Sequence, residues 1–201
     1  MKSDLDFTTY QSPFSWRYGS DEMRTIFSEV NRRKMWRRVW VELAKAQEKQ
    51  GLLSKEELND IIKNQTNVDI KKAHEIEAEI KHDLMAEIQT FASQAKIGGG
   101  KLHLGATSQD IEDNADTLLF KDALELIEKN LKDTLLLLSQ KIDKYKDFVC
   151  MAYTHLQPAE PTTLGYRFAI YAQDLLTDLE LLDFVKTQVK GKGTKGAVGT
   201  Y

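Results

Sequence analysis

The chain has 201 residues, 41% of them apolar and 29% charged, the balance of a soluble globular protein with one large domain or two small ones. A net charge of −3 supplies no field to draw nucleic acid or an anionic membrane. The single cysteine, Cys150, excludes an intramolecular disulfide, "MKSDLDFTTYQSPFSW" lacks the apolar core of a secretory leader, and the greasy run Leu135–Leu138 is far too short to span a bilayer; the expectation is a cytoplasmic protein.

Only three prolines (Pro13, Pro158, Pro161) and no segment of period two predict an all-α chain. The first helical stretch is expected over 20–51. Ser20 suits its N-cap, Asp21 and Glu22 its first turn and Gly51 its stop, with a break near Ser28. Within it, "NRRKMWRRVW" interleaves arginine and tryptophan as a nucleic-acid binder would. Acidic neighbours and the helical recurrence of Met35, Val39 and Leu43 point instead to a solvated basic face over a packed stripe. "SKEE" at 54–57 is a capping box of Ser54 and Glu57, opening a short helix to about Asn64. A further pattern runs from Asp69 to about Ala95, broken near His82.

"IGGGKLHLGATSQD" at 97–110 reads as a loop and as the domain boundary. It separates a small N-terminal helical domain, 1–104, from the first long helices of a central bundle, 105–201. From Asp113 to Asp147 the sequence is an unbroken helix former, about 50 Å long. Leu118, Leu126, Leu135 and Ile142 supply apolar faces and Phe120, Leu136 and Leu137 make more than one face greasy, so several neighbours must cover it. A second long helix is expected from Thr162 to about Lys190, with Leu164, Phe168, Leu175 and Leu182 on its apolar face. Two long antiparallel helices cannot enclose a core alone and call for helices from further chain or from other subunits. The closing "GKGTKGAVGTY" is a loop expected to lead into further chain.

Polar candidates carry two readings each. Lys81, His82 and Asp83 are adjacent, and neighbours on a helix do not share a face; they are a solvated turn or a polar corner for an anionic substrate. "LHLGATSQD" at 102–110 sets Thr107 and Ser108 before a helix, where backbone N–H groups bind anions; ordinary N-capping by Thr107, Ser108 or Asp110 is the alternative. His103, between two leucines, reads as structural, and Cys150 as a small buried hydrophobe. His155, beside Thr154 where the long helical pattern stops, is a satisfied buried histidine or an acid or base aimed into a cleft. No zinc, P-loop or dinucleotide pattern occurs, so neither metal nor cofactor is expected.

"GATSQDIEDNAD" followed by "THLQPAEPTTLG", on long helices, resembles the fumarase/aspartase superfamily, whose members eliminate across a C–N or C–O bond and usually release fumarate. Within it, "RYGSDEM" at 17–23, "KHDLMA" at 81–86, "LHLGATS" and "YTHLQPAEPTT" look like the adenylosuccinate lyase family, from about Pro13 to Tyr201. Carboxymuconate cycloisomerases look similar at "GATSQD", argininosuccinate lyases less so, and a non-catalytic helical assembly module is the rival of another class. The resemblance implies a lyase that takes adenylosuccinate to AMP and fumarate and also cleaves the succinylated carboxamide intermediate of purine synthesis. It implies that His155 is the acid for the departing nitrogen and that Thr107 and Ser108 bind the succinyl part. Lys81, His82 and Asp83 match a substrate-binding triplet, Arg17 and Tyr18 match residues that hold the nucleotide, and Thr154 accompanies His155 at the substrate. It further implies a homotetramer with sites shared between chains. The family's serine-rich loop, which supplies the general base, has no match here.

Overall fold

The computed structural model describes Thr8 and residues 10–200. After a π-helical turn at Phe14–Tyr18 come α1 (Asp21–Ile26), α2 (Glu29–Lys49), α3 (Lys55–Asn64), α4 (Ile70–Ile80) and α5 (Asp83–Gln94). The long helix α6 (Ser108–Tyr145), strands β1 (Val149–Thr154) and β2 (Gln157–Thr163), and α7 (Leu164–Gln188) complete the described chain. Caps set the breaks. Ser20 and Ser28 accept from the third residue of their helices, and Ser54 and Glu57 form the expected reciprocal box. Lys81, in the left-handed region, ends α4, and His82 caps α5. The helix after the glycine-rich loop starts at Ser108, five residues earlier than the pattern of apolar residues suggests, and stops at Tyr145.

Contacts divide the chain into two compact units: the part up to Phe120 with the segment from Gly191 onward, and Lys121–Lys190. The first has a closed core in which Trp36, Trp40, Ile61, Leu84, Phe91, Ile111 and Ala115 meet from four helices. Here the expected solvated basic face is corrected. Arg32, Lys34 and Arg38 are exposed, but Arg33 and Arg37 are buried. Glu87 on α5 accepts from Arg33 Nη1 at 2.9 Å and from Arg37 Nε at 2.6 Å. Arg37 Nη1 also donates to the carbonyls of Asn64 and Asn67 and to Gln94. A buried charge survives only with such partners. The expected apolar stripe of Met35, Val39 and Leu43 is only half-buried.

In the second unit α6 and α7 pack antiparallel. Tyr145 meets Phe168 near one end, and Glu128 pairs with Lys186 near the other. Gly165 lets the start of α7 touch the end of α6, since a Cβ there would lie 2.7 Å from Lys146 Cα. Between them, where the sequence predicts only that the long helical pattern stops, lies an antiparallel hairpin with a bulge between Met151 and Tyr153. Its prolines, Pro158 and Pro161, are tolerated because each strand of a two-stranded sheet is an edge. Cys150 is half-buried on β1, less enclosed than expected. Among the described residues no helix is long and apolar enough to cross a membrane.

Candidate functional site

The first unit gathers one set of candidates around the start of α6. Thr107 precedes the helix and Ser108 begins it, both half-buried. The Thr107 N–H donates to Asp110 Oδ2 at 3.2 Å, so Asp110 closes the turn from within the helix. Lys81, His82 and Asp83 are exposed. His82 Nδ1 accepts from the Met85 N–H at 3.4 Å, and Asp83 Oδ1 lies 3.5 Å from Nδ1. Lys81 lines an open cleft of about 560 Å³ with His74, Glu77 and Ala78.

Electrostatics ties this turn to the helix start. Burial raises the Glu112 carboxyl above its ordinary value, the Asp83 charge adds to the rise, and His82 opposes it. Burial lowers His103, with Asp110 opposing and His82 reinforcing the shift. His82 and Asp83 therefore lie within the electrostatic reach of the residues flanking Thr107 and Ser108. His103 itself is structural: it accepts from Trp40 Nε1 at 3.1 Å while holding a φ of 69°. Arg17 and Tyr18 sit on the exposed π-helical turn, with the Arg17 guanidinium 4.5 Å from the centre of the Trp16 ring.

The second unit carries Thr154 and His155. His155 does not end a helix; with Leu156 it forms the two-residue turn of the hairpin. Both have positive φ, 47° and 64°, as a type I′ connection requires. Thr154 and Gln157 face each other across the ladder, and the imidazole stands exposed at the tip. Such a turn aims a side chain outward from a hydrogen-bonded base.

Sequence reasoning missed one element of the first unit. Asp110 is completely buried and accepts from the N–H groups of Lys195 at 3.0 Å and Gly196 at 2.9 Å, while Asn114 holds Gly193. Burial by itself would raise the Asp110 carboxyl, but the donors from Thr107, Gly196 and Lys195 and the Lys192 ammonium outweigh it and hold it below the ordinary range. The available signal was the spacing of the glycines in "GKGTKGAVG" and an aspartate three residues after Thr107.

Comparison with known proteins bears on this arrangement. The family described as Lyase matches residues 16–201. An adenylosuccinate lyase of Schistosoma mansoni is 38% identical over 97% of this chain, and one of Methanocaldococcus jannaschii is 39% identical over 94%. The chain spans about 41% of the length of each. Among solved structures, a fumarate lyase from Mesorhizobium sp. BNC1 superposes with a TM-score of 0.82 at 26% identity, covering 90% of this chain and 43% of that one. A 3-carboxy-cis,cis-muconate lactonizing enzyme from Pseudomonas putida does so with a TM-score of 0.82 at 27% identity, covering 93% and 44%.

Proposed function

We propose, for a chain that belongs to the lyase family, that the whole protein eliminates fumarate from adenylosuccinate and from the succinylated carboxamide intermediate of purine synthesis. The observation that carries this reading is the 38–39% identity to relatives named adenylosuccinate lyase across nearly the whole chain. A base removes a proton from the carbon beside a carboxylate, the electron pair left behind forms the carbon–carbon double bond of fumarate, and the C–N bond breaks. The departing nitrogen takes a proton from His155, whose exposed position on a rigid turn suits a general acid. Thr107 and Ser108 hold the succinyl arm, Lys81, His82 and Asp83 contact the substrate beside them, Thr154 flanks His155, and Arg17 and Tyr18 receive the nucleotide, arginine suiting its phosphate. The reaction so written needs neither metal nor cofactor, and the general base is not assigned to any residue of this chain.

In this reading residues 1–104 are an N-terminal helical domain and 105–201 begin a central bundle, in a cytoplasmic homotetramer that binds neither nucleic acid nor membrane. The length of α6 supports the sharing of sites between subunits. Its 38 residues are about 57 Å long, and the chain from Tyr145 to His155 reaches at most about 35 Å. In this reading it is a second copy that supplies His155 to the Ser108 end.

The test is complementation in the complete natural protein. His82→Ala and His155→Ala, each inactive, are mixed after dissociation and allowed to reassociate. Mixed tetramers should regain a fraction of wild-type fumarate release, and His155→Ala alone should lose about 10²–10⁴-fold in turnover. Proven subunit exchange without any return of activity rejects the shared site, and near-normal turnover of His155→Ala rejects the acid.

A further inference from the structure

Asp110 has no accessible surface, and both of its oxygens are committed. Oδ2 accepts from the N–H of Thr107 at 3.2 Å and of Gly196 at 2.9 Å, and Oδ1 accepts from the N–H of Lys195 at 3.0 Å. One helical turn further on, Asn114 grips Gly193 at both ends. Its Nδ2 donates to the Gly193 carbonyl at 2.9 Å, and its Oδ1 accepts from the Gly193 N–H at 3.0 Å. The same Nδ2 also donates to the Asp110 carbonyl at 2.7 Å, which couples the two clasps. The Lys192 ammonium lies 3.3 Å from Asp113 and 3.7 Å from Asp110.

Segment 192–196 belongs to no helix or strand. Among the described residues, the hydrogen bonds that tie its backbone to the rest of the unit go to these two side chains. Gly193 and Gly196, at φ +77° and +67°, permit the path that turns its N–H groups toward α6. A carboxylate this enclosed is sustained only by full hydrogen bonding, so loss of the charge leaves three N–H groups facing a poorer acceptor. One oxygen, Oδ2, serves both Thr107 and Gly196, so neither can shift without disturbing the other.

We propose that Asp110 and Asn114 are positioning residues, which lock the glycine-rich segment 192–196 against the Thr107–Ser108 turn so that turn and segment meet the dicarboxylate arm of the substrate as one rigid surface. This rests on the reading that Thr107 and Ser108 hold that arm. Neither positioning residue touches the substrate; each acts through backbone that does.

Asp110→Asn and Asn114→Ala are made in the complete natural protein and compared with wild type by amide hydrogen exchange and by kinetics with adenylosuccinate. The amides of Gly193, Lys195 and Gly196 should exchange at least about tenfold faster, those of α2 and α5 should keep their rates, and KM should rise about 10–100-fold with kcat within a few-fold. Unchanged exchange overturns the clamp. Faster exchange at unchanged KM overturns its role at the site, as does a fall in kcat alone, the mark of a smaller folded fraction. If Asp110→Asn does not fold, Asn114→Ala, at a half-buried uncharged position, gives the same decision. A wild-type protein without action on adenylosuccinate ends the functional reading, and the exchange arm then decides the clamp by itself.

Discussion

In the first unit Trp40, Ile61, Leu84 and Phe91 are at most 1% exposed; in the second, Leu136, Leu137 and Leu181 stand 60% exposed on helices just as regular. Between Lys121 and Lys190 the buried apolar side chains are Ala123 and Ala172 alone. The contrast separates two things that a helical pattern conflates. Forming a helix is a local matter of propensity and caps, whereas burying its apolar face needs elements from elsewhere. The first unit finds them within 120 residues, in α2, α3, α5 and the start of α6. The second pairs one side of α6 with one side of α7 and leaves further apolar faces open, including a groove along Ile127, Leu131, Leu181, Leu182 and Val185. A bundle completed by other copies would cover those faces.

The largest test of this comparison is Glu87→Ala. It leaves the fully buried Arg37 without its carboxylate partner and Arg33 with only the partly exposed Glu29 and Glu77, and the first unit should lose about 3–5 kcal/mol in denaturant unfolding. A loss below about 1 kcal/mol would break the comparison, because the first core would then tolerate unpaired charge as a loosely packed region does.

A smaller effect comes from His103. Its folded pKa is depressed, so below the unfolded value of about 6.5 the unfolded chain binds a proton that the native chain refuses. Stability should therefore fall as pH drops from about 6.5 toward the folded value, with a slope of at most about 1.4 kcal/mol per pH unit for this one proton. His103→Gln, which keeps an acceptor for Trp40, should flatten that limb. An unchanged pH profile in thermal melts would show that the histidine is not held neutral by the core.

The smallest effect on stability is expected in the second unit. Leu136→Lys with Leu181→Lys should change the stability of the 201-residue chain by less than about 0.5 kcal/mol, as exposed substitutions do. In the complete natural protein the same pair should shift sedimentation toward smaller species. No shift would mean that this face is solvated in the assembly, and the comparison would then mark two kinds of surface rather than a missing partner.

Much of the fold was legible because its signals are local. Serine caps at 20 and 54, the breaks near Ser28 and His82 and the long helical runs all depend on residues within about four positions of one another. The turn around Thr107 and Ser108 was legible for the same reason, although its helix begins earlier than the apolar pattern does. The hairpin was less so: two prolines obscure β2, and His155–Leu156 lacks the glycine that usually announces a type I′ turn.

What the sequence determined by itself was the list of helices, their caps and the motifs that mark a lyase. Tertiary structure alone decided which charges go inside. Arg33 and Arg37 meet Glu87 across 54 and 50 residues, and Asp110 meets Lys195 and Gly196 across 85 and 86. An isolated arginine or aspartate belongs in water, and no local pattern reveals that distant chain will bring the partner that lets it be buried.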